Sequence, residues 1–230
     1  MPVAIITGAS RGLGRALAAG LAATHWRVVL DGRNAGPLRE AAAAIGPAAI
    51  AVPGDVTDPA HRAALVAAAE RLGGPDLLVN NAGILGPSPQ PALADYPPVA
   101  LREVYEVNVI APLALAQLVL PALRERSGAI INVTSDAAVE PYPGWGGYGS
   151  AKAAVDQLTR VFAAEQPDIA VWAVDPGDLR TRMHQEAFPG EDISDRPLPE
   201  TVVPAVLRLL AVRPASGRLR LADLAVETPA

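Results

Sequence analysis

Short apolar runs alternate with longer helical stretches along almost the whole chain. The runs are rich in Val, Ile and Leu and show no polar alternation, which is typical of strands buried on both faces of a parallel sheet. They lie at residues 3–7, 27–31, 48–52, 77–80, 129–133 and 169–174. The Ala- and Leu-rich stretches between them predict helices at residues 14–24, 37–45, 59–72, 99–123 and 148–165.

This alternation predicts an α/β fold, a single-domain doubly wound parallel sheet (Rossmann fold) of about seven strands flanked by helices. A last helix at 200–210 and a seventh strand at 218–222 close the chain. The length suits one domain over residues 1–230. Loops rich in Pro and Gly are predicted at 83–98, 140–147 and 183–199, where ligands of such sheets bind.

Composition excludes several kinds of chemistry. The chain has no cysteine, which rules out disulfides, thiolate zinc sites and a cysteine nucleophile, and its 3 histidines lack metal-ligand spacing. We therefore expect no metal. The 19 basic and 24 acidic residues give a net charge of −5, which favours neither nucleic acid nor an anionic membrane as a partner.

The apolar segments and the first residues bear on location. The chain begins without the charged region and long apolar stretch of a signal peptide. The most apolar stretch, residues 109–123, is shorter than the roughly 20 residues that span a bilayer. We expect a cytoplasmic protein.

One lysine stands out. Lys152 is the only lysine among 19 basic residues, the rest being arginine. A GC-rich genome explains the bias towards arginine, but it does not explain why one lysine remains. Arginine cannot replace lysine where a compact ammonium must fit beside a reacting group. Lys152 is therefore a candidate for chemistry.

The first strand runs directly into a glycine-rich turn followed by a helix. The turn reads Thr7-Gly8-Ala9-Ser10-Arg11-Gly12-Leu13-Gly14. Glycines there permit a tight turn and a close approach of the backbone to a pyrophosphate, which free N–H groups at the helix start can bind. A purely structural turn is the alternative, and a P-loop is excluded because no G-K-[ST] follows.

A second motif, Tyr148-x-x-x-Lys152, stands at the start of a predicted helix. Residues four apart share a helix face, and an ammonium beside a phenol favours the phenolate and lowers its pKa. Tyr148 is thus a candidate general acid or base, and Ser135, after a strand end, is a candidate to hold the substrate oxygen. Taken alone, the tyrosine–lysine spacing is also compatible with a solvated helix face.

Together these residues make the chain resemble the short-chain dehydrogenase/reductase family, of the NADP(H)-preferring type, over nearly its whole length. The glycine turn matches the family's cofactor turn, and Ser135, Tyr148 and Lys152 match catalytic residues. Further matches are Asp55-Val56 for the adenine-holding pair, Asn80-Asn81-Ala82-Gly83 for the motif after the fourth strand, Asn108 for the catalytic asparagine, and Pro176-Gly177 with Thr181 for the nicotinamide end.

The resemblance implies an enzyme that reduces a ketone or aldehyde to an alcohol, or the reverse, by hydride transfer with a nicotinamide cofactor. Tyr148 would give its proton to the carbonyl oxygen, which Ser135 would position. Lys152 would bond the nicotinamide ribose and lower the pKa of Tyr148, and Asn108 would hold a water linking Lys152 to solvent. The implied cofactor-binding residues are Gly8, Ser10, Arg11, Gly12, Leu13, Gly14, Arg33, Asp55, Val56, Asn81, Ala82, Gly83, Tyr148, Lys152, Pro176, Gly177 and Thr181.

The end of the second strand bears on the choice between NADP(H) and NAD(H). An acid there bonds the ribose 2′-OH of NAD, and an arginine accommodates the 2′-phosphate of NADP. In the family's register the discriminating position falls on Gly32, followed by Arg33, while Arg11 lies in the glycine turn. NADP(H) is therefore favoured, and Asp31 keeps NAD(H) as the alternative if the strand end shifts by one residue.

The carboxyl-terminal region departs from the family pattern. Members usually follow the seventh strand with a Gly-Gly turn that this chain lacks, which puts the usual homotetramer in doubt and keeps a homodimer or a monomer open. A lid over the substrate is predicted after Thr181. The candidate substrate residues are Ser135, Tyr142, Pro143, Trp145, His184 and Phe188, a set that suits an apolar or aromatic carbonyl compound.

Two alternatives belong to other function classes. A non-catalytic NADP(H)-sensing regulatory protein would need no proton donor, so the complete set of Asn108, Ser135, Tyr148 and Lys152 speaks against it. Nucleotide-sugar epimerase or dehydratase chemistry uses the same tyrosine–lysine pair. Those relatives carry a larger substrate domain, for which 230 residues leave no room.

Overall fold

Each predicted apolar run forms a strand in the computed structural model, which describes residues 1–224. The strands are β1 (Val3–Ile6), β2 (Arg27–Gly32), β3 (Ala49–Pro53), β4 (Leu77–Asn80), β5 (Ala129–Val133), β6 (Ala170–Asp175) and β7 (Gly217–Arg220). They form one parallel sheet in the order β3-β2-β1-β4-β5-β6-β7. The predicted doubly wound sheet is confirmed.

Helices cover both faces of this sheet. They are α1 (Gly12–Ala23), α2 (Ala35–Ile45), α3 (Pro59–Glu70), α4 (Pro98–Tyr105), α5 (Ala111–Glu125), α6 (Gly146–Glu165), α7 (Arg182–Ala187) and α8 (Val203–Val212). One apolar core packs α1, α2 and α8 on one face, and a second packs α3 and α5 on the other. Short 3₁₀ turns lie at Leu93–Asp95, Asp136–Ala138, Pro199–Val202 and Leu221–Leu224.

Several predicted boundaries are wrong by one or more residues, and two of them have a clear physical reason. The predicted loop at 183–199 begins with α7, because the Thr181 hydroxyl oxygen accepts a hydrogen bond from the backbone N–H of His184 at 3.2 Å and caps a helix there. The seventh strand ends at Arg220, where a 3₁₀ turn carries Leu221 into the core.

The predicted length of the apolar segment, residues 109–123, is also wrong. A π-helical turn, Glu106–Ile110, joins α4 and α5 into one helical segment, Pro98–Glu125, of 28 residues. By length and composition alone this segment could cross a membrane. Its buried residues, among them Leu115, Val119 and Leu123, pack against the sheet as those of a core helix do.

Candidate active site

The carboxyl ends of the strands open into one cleft of about 1290 Å³. It lies where β1 pairs with both β2 and β4, the switch point at which ligands bind in doubly wound sheets. All the predicted site residues line it except Gly14 and Asn108, which lie behind its wall. We call residues 8–13, 32–34 and 55–56 the nucleotide end, and Ser135, Tyr148 and Lys152 the catalytic end.

The glycine turn brings backbone close to backbone. Gly8 has φ +65°, and a Cβ there would lie 2.9 Å from the Cα of Ala82. The Asn81 amide holds the turn by donating to the carbonyl oxygens of Thr7 at 2.8 Å and Gly8 at 3.2 Å. The N-cap of α1, Arg11, caps no backbone group with its side chain. The helix start therefore presents backbone N–H groups to the cleft, as a pyrophosphate requires.

The end of the second strand carries no carboxylate at the position that faces the glycine turn. A Cβ on Gly32 would lie 3.4 Å from the Cβ of Ser10, so position 32 faces the glycine turn and carries no carboxylate. The Asp31 carboxylate is already engaged within the protein, because it accepts from the Gly8 N–H at 3.1 Å and lies 2.6 Å from His61. Backbone hydrogen bonding from Thr57 chiefly, with Arg33 adding, lowers the pKa of Asp55 below its ordinary value.

Helix α6 carries both members of the tyrosine–lysine pair on its first two turns. Tyr148 is 7% exposed and Lys152 is 5% exposed. The Lys152 Nζ donates to the Val133 carbonyl oxygen at 2.7 Å and lies 5.5 Å from the centroid of the Tyr148 ring. The residues are thus neighbours in a buried wall of the cleft, which excludes a solvated helix face.

The pKa of Tyr148 does not follow the expectation. Burial raises it above the ordinary value for tyrosine, the charges of Asp136 and Asp175 raise it further, and hydrogen bonding with Ser135 opposes them. Burial also lowers the pKa of Lys152 to about 8, against the opposing charge of Asp156. The predicted net lowering of the Tyr148 pKa is therefore wrong for this arrangement, because burial outweighs every opposing contribution and the shift is upward.

Ser135 and Asn108 occupy their predicted places with their polar atoms already engaged. Ser135 lies two residues beyond the end of β5, and its hydroxyl donates to Asp136 at 2.9 Å. Asn108 lies in the π-helical turn, donates to the Ile84 carbonyl oxygen and accepts from the Ile84 N–H, both at 2.9 Å. This pairing joins the loop that follows β4 to the π-helical turn between α4 and α5. A water relay through Asn108 stays a prediction.

The aromatic members of the candidate substrate set form a cluster over the catalytic end, while Ser135 and Pro143 also line the cleft. The Trp145 ring centroid lies 5.9 Å from that of Tyr148 and 5.7 Å from that of Phe188. His184 lies 4.9 Å from Phe188, and the Tyr142 hydroxyl donates to Asp136 at 3.0 Å. Because α7 supplies His184 and Phe188 follows it, this helix covers part of the catalytic end.

Sequence reasoning missed the charged groups behind the catalytic end. Arg218, on β7, donates to Asp156 at 3.0 Å, to Asp175 at 2.9 Å and to the Ser135 carbonyl oxygen at 3.2 Å. Both carboxylates are buried. An arginine inside the closing strand and an aspartate one turn after the only lysine in the sequence were the available signals, since buried charges are paired.

Known proteins are similar to this chain in sequence and in architecture. The sequence profile described as short chain dehydrogenase matches residues 2–192. The chain belongs to this family. Sepiapterin reductase from Bos taurus is 33% identical to this short chain dehydrogenase over 199 residues, 80% of this chain and 74% of that protein. Serine 3-dehydrogenase from Agrobacterium fabrum is 34% identical over 183 residues, 77% and 72% of the two chains.

A solved structure is similar over nearly its full length. The alcohol dehydrogenase from the archaeon Thermococcus sibiricus, complexed with 5-hydroxy-NADP, is 28% identical with a TM-score of 0.85. The match covers 96% of this chain and 95% of that one. This short chain dehydrogenase is therefore an oxidoreductase of a family that uses a nicotinamide cofactor and acts on small molecules.

Proposed function

We propose that this protein is an NADP(H)-dependent reductase of ketones or aldehydes that can also run as an alcohol dehydrogenase. The observation that carries the proposal is the composition of one cleft. Its nucleotide end has uncapped helix N–H groups and an arginine beside a glycine, and its catalytic end has a buried phenol beside an ammonium. That pairing of ends suits a dinucleotide whose reactive ring reaches the phenol.

The residues present fit the cofactor. The α1 N–H groups would bind the pyrophosphate, Asp55 and Val56 would hold the adenine, and Arg33 with Arg11 would take the 2′-phosphate. Planar guanidinium groups match phosphate geometry with paired hydrogen bonds. When bound, the reduced nicotinamide supplies the hydride that reaches the carbonyl carbon.

Tyr148 then serves as the proton donor. Burial and the charges of Asp136 and Asp175 raise the pKa of its phenol, which therefore stays protonated at neutral pH, as a general acid towards a carbonyl must. Donation leaves a phenolate, which the Lys152 ammonium stabilises. Ser135 positions the carbonyl oxygen beside the phenol, and a water held near Asn108 would return the proton from solvent through Lys152.

The aromatic side chains over the catalytic end bear on the choice of substrate. Trp145 packs edge-on against the ring of Tyr148, and Tyr142 and Phe188 pack against Trp145. Rings of this kind bury a large apolar area and stack on planar groups. We propose an apolar or aromatic carbonyl compound as substrate. A cytoplasmic location and a homodimeric or homotetrameric state complete the proposal.

The test begins with titration of the purified protein with NADPH and NADH, with nucleotide fluorescence as the readout. A panel of ketones and aldehydes is then assayed at 340 nm, and the matching alcohols in reverse. We expect tighter binding of NADPH and turnover of at least one aromatic carbonyl compound. Binding without turnover in either direction would favour a regulatory nucleotide sensor, and binding of neither nucleotide would overturn the proposal.

A further inference from the structure

The nucleotide end contains a buried pair of titratable side chains that the proposed chemistry does not use. The Nε2 of His61 lies 2.6 Å from the Oδ1 of Asp31, and their side chains are 6% and 3% exposed. His61 stands on the first turn of α3, and Asp31 is the last residue but one of β2. The other carboxylate oxygen of Asp31 accepts from the Gly8 N–H at 3.1 Å. Both oxygens are therefore engaged within the protein.

Local backbone is shaped to admit this pair. A Cβ on Gly54 would lie 2.2 Å from the Nδ1 of His61, so a side chain at position 54 would displace the ring. The neighbouring Arg62 anchors the same turn of α3 by donating to the carbonyl oxygens of Val56 and Thr57, both at 2.8 Å. His61 is thus held against Asp31 from two sides.

Asp31 occupies a position where its charge matters. It lines the cleft one residue before the position that faces the glycine turn, and it touches the first glycine of that turn. A carboxylate at this strand end is the group that bonds a ribose 2′-OH and repels a 2′-phosphate. Arg33 lies two residues away. The chain therefore carries an NAD-type acid and an NADP-type base at one strand end.

We propose that His61 is a specificity-determining positioning residue for the cofactor. By hydrogen bonding to Asp31, it holds that carboxylate in the wall of the cleft, away from the cofactor ribose. Arg33 is then the charge that the nucleotide meets. This inference rests on the proposed preference for NADP(H), and it assigns to α3, whose side chains lie behind the nucleotide end, a part in that preference.

The experiment measures the ratio of the dissociation constants of NADH and NADPH by nucleotide fluorescence. In His61→Leu, Asp31 loses its partner, and we expect the ratio to fall about tenfold towards NADH, mainly through weaker NADPH binding. In Asp31→Asn/His61→Leu the charge is removed, and the ratio should return to within about twofold of wild type.

Equal weakening of both nucleotides by His61→Leu, with no recovery in the double variant, would overturn the proposal and leave His61 a structural role only. If His61→Leu does not fold, His61→Asn, whose side chain is too short to reach Asp31, replaces it with the same expected ratio. The wild-type ratio tests the cofactor preference separately. A wild type that favours NADH would contradict that preference, while the change caused by His61→Leu would still decide the role of His61.

Discussion

The two ends of the cleft keep buried carboxylates in different ways. At the nucleotide end, Asp31 is paired with a histidine side chain and a backbone N–H. At the catalytic end, Asp156 and Asp175 share the permanently charged Arg218. The first arrangement holds the Asp31 carboxylate away from a bound nucleotide. The second pairs the carboxylates behind Tyr148 with a guanidinium. Cofactor choice and proton chemistry should therefore respond to separate substitutions.

The largest expected effect separates chemistry from binding. In Tyr148→Phe the phenolic hydroxyl is lost and with it the proton donor, so turnover in either direction should fall by about a thousandfold. The dissociation constant of NADPH should stay within about twofold of wild type, because the ring remains in place. Steady-state rates at 340 nm and nucleotide fluorescence measure the two quantities. Turnover near the wild-type rate would contradict the assigned role of Tyr148.

Substitution of Arg218 tests how much the ion cluster behind the catalytic end contributes to the free energy of unfolding. Arg218→Met leaves two buried carboxylates without their cation, and we expect the free energy of unfolding to fall by about 3 kcal/mol. Urea denaturation measures the change. Arg220→Met, at the exposed end of the same strand, is the matched control and should change stability by less than about 0.5 kcal/mol. Equal losses in both variants would show that the ion cluster contributes nothing specific.

Lys152 gives the catalytic end a pH dependence. Its pKa falls from an ordinary 10.5 to about 8 on burial, so between these values the unfolded chain binds more protons than the folded one. Stability due to this group therefore rises with pH across that window, by up to about 3 kcal/mol. The difference in unfolding free energy between wild type and Lys152→Met, measured from pH 7 to 10, should grow in favour of wild type. A flat difference would contradict the shift.

The smallest expected effect lies at the nucleotide end. Arg33→Ala removes a charged partner of the 2′-phosphate, so the dissociation constant of NADPH should rise about tenfold while that of NADH stays within about twofold. Isothermal titration with both nucleotides measures it. An equal response of the two constants would contradict contact between Arg33 and the phosphate.

Much of this fold follows from local sequence, and most of the charge pairing does not. The runs at 77–80 and 129–133 are strands with the predicted bounds because buried parallel strands need continuous apolar residues. Asp31 and His61 are 30 residues apart in the sequence, and Arg218 and Asp175 are 43 residues apart. Such pairs depend on which helices and strands the topology brings together. The raised pKa of Tyr148 likewise depends on burial that a four-residue spacing does not encode.

A crystal structure with bound NADP⁺ tests most directly the claim that one cleft joins a phosphate-binding end to a proton-donating end. The account predicts the 2′-phosphate within hydrogen-bond distance of the Arg33 guanidinium, Asp31 still paired with His61, and the nicotinamide ring beside Tyr148 and Lys152. A 2′-phosphate turned away from Arg33, or a nicotinamide ring bound outside the catalytic end, would contradict it.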